Sequence, residues 1–304
     1  NVLILVNGKR RHRSGVIAEL GGSLSSGSQG ADISAIPSMA IKQVEVLRDG
    51  AAALYGSDAI AGVIGFQLND SAEGMSLEVR TGESGEGDGG LTQVQGNIGL
   101  PLGDDGFLNI TGSWMEQDPT SRTLQRTDAA NLIANGNAAQ RANVQNPAQV
   151  WGAPEQIDNY NLFFNSGIQV SDDLEVYAFG NYGSRETLGG FYYRNPNSRG
   201  GVYTNGSTRA VVDTNIRNRA TGVTSNCPAL TSPGSGGNGV ALDQAKVAAD
   251  AAALASLPDN CWVMNQATPG GYTPQFGAQL KDASIVIGGR GDITPNLSYD
   301  ISGS

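Results

Sequence analysis

The sequence is poor in the residues that carry most enzyme chemistry: 304 residues hold one histidine and two cysteines. His12 stands among arginines, so a Ser/His/Asp set or a zinc site built on it would need distant partners. The cysteines, Cys227 and Cys261, lack the CxxC spacing of a metal or redox pair. No catalytic residue, no metal and no cofactor is expected. Basic residues are also scarce, 19 Lys plus Arg against 29 Asp plus Glu, for a net charge of −10. That balance excludes a general nucleic-acid binder, which needs a basic face. No apolar run approaches the ~20 residues of a membrane-spanning helix. Charged residues are only 16% and aromatics 6%, whereas glycine is abundant at 43 residues. A glycine-rich, charge-poor, acidic chain leaves a secreted β protein or an outer-membrane β-barrel, whose strands hydropathy plots miss.

Two textures divide the chain. Residues 1–70 mix buried-strand runs with glycine turns. VLILV at 2–6 reads as a fully buried strand closed by Asn7-Gly8, and the basic cluster KRRHR follows at 9–13. The Gly/Ser loop at 21–30 lacks the Gly-Lys-Ser/Thr ending of a phosphate-binding loop. Further strands are expected at 41–47, ending at Arg48-Asp49-Gly50, and at 62–68. The sequence opens inside one apolar run and closes inside an alternating segment, as an internal piece of a longer protein would.

Residues 71–304 alternate. In a barrel strand one parity faces lipid and the other the lumen, so apolar and polar residues should interleave. Met75, Leu77 and Val79 interleave with Ser76, Glu78 and Arg80; Val94, Ile98 and Leu100 with Gln93, Gln95 and Asn97. Leu108, Ile110 and Trp114 oppose Asn109, Thr111 and Ser113; Tyr160, Leu162, Phe164 and Ile168 oppose Asn161, Asn165 and Gln169. Phe163 breaks the polar side. Leu174, Val176, Ala178 and Tyr182 oppose Glu175, Asn181 and Arg185, with Tyr177 and Phe179 on the inner parity. Ile285 and Ile287 oppose Ser284 and Arg290, and Leu297, Tyr299 and Ile301 oppose Ser298, Asp300 and Ser302. That makes about seven strands. Tight connections at 101–105, 171–173 and 292–296 take turns with long ones at 116–158 and 187–279, only 83–90 being short. Short turns on one side and large loops on the other are the sidedness of an outer-membrane barrel.

The second long loop holds both cysteines. Their even number in an extracellular setting predicts a disulfide, worth about 3–4 kcal/mol in the chain-entropy account. Between them, residues 240–257 are Ala-rich without Gly or Pro and predict a helix stopped by Pro258, too short and polar to span a membrane. Phe191, Tyr192, Tyr193, Arg194, Arg199 and Tyr203 form a candidate ligand patch for a small molecule, saccharide or peptide. Arginines at 185, 194, 199, 209, 217 and 219 face only Glu186 and Asp213 there, an excess that suits an anionic ligand, lipid phosphates or acidic neighbours equally. Arg10, Arg11 and Arg13 are a second ligand-contact candidate, with pairing to inward acids such as Glu78, Glu175 and Asp300 as the alternative.

Residues 41–68, IKQVEVLRDGAAALYGSDAIAGVIGFQL, resemble the end of the plug domain of TonB-dependent outer-membrane receptors. The family pattern there is V-E-V-L-R-[DG]-[GP] followed by A-x-x-x-Y-G-S-x-A-I-x-G-V-I. It is matched at Arg48, Asp49, Gly50, Tyr55, Gly56, Ser57, Asp58 and Gly62. VLILVNGKRRHR resembles the plug strand carrying V-x-V-[LN]-[DN]-G. Gly65 departs from the Asn usual at its position. The resemblance implies a mainly β protein: a partial transmembrane antiparallel β-barrel, residues 71–304, with a partial N-terminal α/β plug, residues 1–70, in the lumen. Seven strands would be roughly a third of a plugged barrel of about 22. It further implies active import of a scarce ligand across the bacterial outer membrane, with the TonB energy-coupling complex and outer-membrane lipid as partners and no nucleic acid. A surface lipoprotein is left open as an accessory. The competing reading is a passive porin-like or structural, adhesive barrel, which has no plug sequence ahead of its strands.

Overall fold

The computed structural model describes residues 2–16, 27–48, 55–215, 225–237 and 240–304. Asp49 and Gly50, most of the Gly/Ser loop, Arg217 and Arg219 lie outside the described residues. The chain divides into two compact units. The first comprises Asn1–Asp118, Glu155–Thr187 and Gly277–Ser304; the second comprises Pro119–Pro154 and Leu188–Phe276.

The first unit opens with a small sheet. β1 (Leu3–Val6) turns at Asn7 and Gly8, both at positive φ (47° and 74°), into β2 (Lys9–Arg10). An Asn-Gly pair adopts that mirror-image turn at little cost. β3 (Ile41–Leu47) and β4 (Val63–Leu68) complete the sheet in the order β2-β1-β4-β3, with β4 parallel to β1 and antiparallel to β3. Gly62, entering β4, has φ 131° and leaves room for no side chain: a Cβ there would lie 2.6 Å from the Leu47 carbonyl oxygen. One face of this sheet buries Leu3, Leu5, Ala59 and Val63.

Seven strands then form one sheet of order β15-β14-β9-β8-β7-β6-β5. They are β5 (Met75–Gly82), β6 (Leu91–Pro101), β7 (Gly106–Gln117), β8 (Glu155–Ser171), β9 (Leu174–Gly190), β14 (Gln275–Thr294) and β15 (Leu297–Gly303). The short pairs β10 (Thr204–Asn205) with β11 (Thr208–Arg209), and β12 (Val212–Asp213) with β13 (Cys261–Trp262), lie within the long connection. β8, β9 and β14 run 17, 17 and 20 residues, more than the 9–11 that a tilted strand needs to cross a bilayer.

The two faces of this wall are opposite to those of a soluble sheet. Met75, Leu77 and Ile301 are exposed at 79%, 72% and 73%, with Leu162, Ile285 and Ile287 also on the open face. Gln95, Asn97, Asn109, Thr111, Asn165 and Asn181 are buried on the other. The apolar parity suits lipid and the polar parity a lumen, as the alternation predicts. The breaks in that parity have a cause. Phe163, Tyr177, Phe179 and Val286 turn inward to bury Val6, Ile36, Ala40 and Leu68 of the N-terminal segment.

The second unit has its own core of Ala129, Leu132, Ala148, Tyr193, Leu242 and Val247. Within it lie α1 (Thr127–Asn135), α2 (Ala138–Asn143), α3 (Gln244–Ala255) and α4 (Met264–Ala267). The Ala-rich helix begins later than its composition suggests because Asp243 caps it, accepting from the Ala245 and Lys246 amides. α1 and α2 are additions to a stretch whose sequence reads as polar loop. Asn137 and Gln140 close a capping box on α2, and Leu132 is fully buried. Cys227 and Cys261 are disulfide-bonded, Cα–Cα 5.6 Å. Among the described residues no helix is long and apolar enough to cross a membrane, which leaves strand crossing untouched.

Candidate functional site

Three places collect the sequence-derived candidates. The first is the basic segment after β1. Its first three side chains, Lys9 to Arg11, alternate as in an extended chain. Lys9 pairs with Asp300 of β15 at 2.9 Å, and Arg11 pairs with Asp282 of β14 while donating to Asn181 Oδ1 of β9 at 2.6 Å. Arg10 turns the other way, to Asp58 in the plug motif, and Arg13 lies 4.0 Å from the same carboxylate. His12 Nε2 shares Asp282 with Arg11. Further along the chain, Asp32 pairs with Arg185 of β9 at 2.5 Å.

These pairings set the local electrostatics. Burial works against the Lys9 charge, yet hydrogen bonds with Asp300 and Tyr177 prevail and raise its pKa above 10.5. Burial lowers that of Arg11, offset in part by Asp282 and Asp32. For Asp32 burial again opposes the charge, but bonds from Ser34 and Arg185 draw its pKa below 3.8. Of the acids singled out in the sequence, Asp300 meets the cluster. Glu175 instead takes Arg290 at 2.8 Å, and Glu78 lies exposed on β5. Asp282 and Asp32 were missed; the even parity of Asp282 with Ser284 and Arg290 was the available signal.

The second place is the plug motif. Tyr55 is exposed and its carbonyl accepts from Arg10 at 3.4 Å. Gly56, at φ 80°, leads into the short turn Ser57–Ala59. Arg48 is exposed. At Gly65 a Cβ would meet only the Glu45 Cβ, at 3.8 Å, an ordinary contact, so the sheet does not depend on that departure from the family pattern.

The third place is the aromatic patch of the second unit, and burial splits it. Tyr193 and Tyr203 are 6% and 0% exposed. Tyr193 donates to the Gly270 carbonyl at 2.6 Å, and the Tyr203 hydroxyl lies 3.1 Å from the Thr268 carbonyl. Burial raises both phenols, Tyr203 to about 12. As ligand contacts these two are corrected: they are core residues, since a loop with few large aliphatics fills its interior with tyrosine. Phe191, Tyr192 and Arg194 stay together near the surface. Tyr192 packs edge-on against Trp151 (4.9 Å) and Phe191 (5.1 Å), Phe191 stacks on Phe276 (6.1 Å), and the Arg194 guanidinium lies 5.4 Å from the Phe191 ring. Arg199 is exposed. Arg209, counted with the basic excess, is instead sealed against Asp250, at 0% and 1% side-chain exposure.

Comparisons with known proteins bear on the segment that forms the small sheet. Residues 1–63 match the TonB-dependent Receptor Plug Domain model. The vitamin B12 transporter BtuB of Photobacterium profundum is 36% identical over 110 residues, 36% of this chain and 16% of that protein. Similar solved structures include the siderophore receptor PirA of Acinetobacter baumannii, at 16% identity and TM-score 0.46. That alignment covers 99% of this chain and 31% of PirA. A ferric enterobactin receptor (PfeA) mutant of Pseudomonas aeruginosa gives 13% identity and TM-score 0.45, over 99% of this chain and 40% of that one. The chain thus spans less than half the length of each of these relatives. Residues 1–63 thus carry a TonB-dependent receptor plug sequence, and with the apolar open-face parity of the strands that follow and a transporter as sequence relative, the chain is similar to TonB-dependent receptors of the bacterial outer membrane.

Proposed function

We propose that the protein imports a scarce ligand across the outer membrane, with energy supplied by the TonB complex. The observation that carries this reading is the docking of the plug sheet on the polar face of the wall through Lys9, Arg11 and Asp32. A passive pore gains nothing from a domain held in its lumen. The tight connections between β6 and β7, β8 and β9, and β14 and β15 then face the periplasm, and the long connections face the exterior. In the second unit the partly open group Trp151, Phe191, Tyr192, Phe276 and Arg194 receives the ligand, with the exposed Arg199 as a further cation. Its chemistry, aromatic faces beside guanidinium charge, suits a compact aromatic or anionic cargo. Cobalamin and ferric siderophores, the cargoes named for the relatives, are the first probes to try.

Ion conduction tests the choice between importer and pore. The full-length receptor in a planar bilayer should pass no steady KCl current, and a variant lacking residues 1–70 should conduct. Steady current through the intact receptor refutes the plugged-importer reading. In cells, uptake of labelled cyanocobalamin or of a ferric catecholate should stop when TonB is deleted; uptake independent of TonB would overturn energy coupling.

A further inference from the structure

The plug segment is attached to the wall by two chemically different seams. Toward β6, β7 and β8 the seam is neutral. Asn7 Nδ2 donates to Asn165 Oδ1 at 3.0 Å, and Asn165 Nδ2 to the Asn69 carbonyl at 3.0 Å. Asn109 Nδ2 donates to the Ser71 carbonyl at 3.2 Å, and Asn97 Nδ2 to Asn109 Oδ1 and Thr111 Oγ1 at 2.6 and 2.8 Å. The wall members of this network are all less than 10% exposed. Where Leu68 and Asn69 meet Asn109, Thr111 and Phe163 there is no water-sized void. The covalent link from plug to wall runs through this seam. Gly99 is bare so that it can: a Cβ there would come within 2.5 Å of the Ser71 carbonyl oxygen and 2.7 Å of the Glu73 nitrogen.

Toward β9, β14 and β15 the seam is ionic: Lys9–Asp300, Arg11–Asp282 and Asp32–Arg185. Two of the three are partly open to solvent, with side chains 24% and 44% exposed in the first and 20% and 26% in the last. Between the two seams lies a cavity of about 240 Å³, with Asn7 and Asn165 on one side and Asp300, Arg290 and Glu175 on the other. The apolar contacts to Phe163, Tyr177 and Phe179 are directionless and tolerate sliding.

We infer that the plug is hinged: the amide seam at residues 68–74 stays fixed on β6–β8, while the ionic seam at residues 9–13 and 32 is a latch that releases first. Neutral hydrogen bonds buried without voids do not feel ionic strength, whereas partly solvated ion pairs are screened as the Debye length falls from about 10 Å at 0.1 M salt to about 3 Å at 1 M. Cations on alternate residues suit a latch, because Lys9 and Arg11 leave the wall together when the ribbon moves while Arg10 keeps it on Asp58.

Hydrogen exchange by mass spectrometry on the full-length receptor in nanodiscs tests this by comparing peptides covering residues 9–16 and 66–74. Raising NaCl from about 0.05 M to about 1 M should speed exchange in 9–16 by about fivefold and leave 66–74 unchanged. Asp282→Asn and Asp300→Asn should reproduce the effect at low salt. Asn97→Ala should loosen 66–74 and spare 9–16. The inference is overturned if both peptides respond together to salt, if 66–74 alone responds, or if 9–16 is insensitive. The salt arm uses the unaltered protein, so a variant that fails to assemble does not shelter the idea. Failure here leaves the importer reading standing, because conduction and TonB dependence test that separately.

Discussion

Asp250→Ala should unlock the second unit. The Arg209 guanidinium is fully buried and spends its donors on named acceptors. Nε donates to Asp250 Oδ1 at 2.8 Å, Nη2 to Asp250 Oδ2 and to Asn197 Oδ1 at 2.8 Å, and Nη1 to the Pro196 carbonyl and to Asn265 Oδ1 at 3.3 Å. One pair therefore joins the 195–197 turn, β11, α3 and α4. Removing the carboxylate leaves a buried cation among neutral oxygens, a loss of about 3–5 kcal/mol. At about 1.4 kcal/mol per tenfold, amide exchange in α3 should accelerate by about a hundred to a few thousandfold. The measurement is hydrogen exchange on residues 244–255 in the full-length receptor. Arg209→Met with Asp250→Leu should recover most of the protection, because a packed apolar pair carries no charge to desolvate. An Asp250→Ala change below about threefold, well under 1 kcal/mol, would refute the claim that the pair is sealed from water. A double variant as exchange-prone as the single one would refute the charge argument in favour of shape.

Other perturbations have similarly definite outcomes. Gly62→Ala forces φ 131° on a residue with a Cβ 2.6 Å from the Leu47 oxygen, so β3–β4 should lose at least about 1–3 kcal/mol of exchange protection. Cys227→Ser with Cys261→Ser opens a closure of 34 residues' separation, about 4 kcal/mol by loop entropy. Proteinase K should then cut between residues 225 and 262 faster while the strands of the wall stay resistant. Asp32 has a folded pKa below 3.8, so its contribution is present above that value and disappears as pH falls through the lower folded value. The difference in plug melting temperature between the unaltered receptor and Asp32→Asn should therefore be constant near neutrality and shrink only below about pH 4.

Much of the wall was legible in the sequence because two solvents impose it. Lipid on one side and a polar lumen on the other force a period of two, and a one-residue slip would expose every wrong side chain. That is why Met75, Leu77, Leu162, Ile285, Ile287 and Ile301 stand on the open face that their parity implies, while β9 and β14 extend further into the connection at 187–279 than the alternation shows. The second unit resisted for the opposite reason: its order comes from partners far apart in the chain. Arg209 and Asp250 are 41 residues apart, and nothing in their local spacing announces the pair. The stretch 127–143 is polar and Asn-rich, interrupted by Gly136. Its helices are held by the Asn137–Gln140 box and the burial of Leu132, which the local pattern does not announce. Tyr193 and Tyr203 misled because aromatics beside arginines suggest a binding face, whereas burial is decided by what else a loop has to fill its core.

The irregularities in the alternation carry as much information as the regularity. Phe163, Tyr177 and Phe179 stand at inward positions where a water-filled lumen would favour Asn, Gln or Ser. Each is buried to 8% exposure or less, and all three belong to the cluster that receives Val6, Ile36, Ala40 and Leu68. An inward aromatic on a barrel strand cannot be stabilised by water, so it marks a strand that faces protein. The inward residues then map the plug onto the wall: aromatic on β8 and β9, amide on β6, β7 and β8, charged on β9, β14 and β15. The same map separates the fixed seam from the ionic one. A reader of the sequence who treats inward aromatics as contacts with a solid lumen, rather than as noise in the pattern, recovers from residues 75–302 the existence of a plug that the motif at 41–68 announces independently.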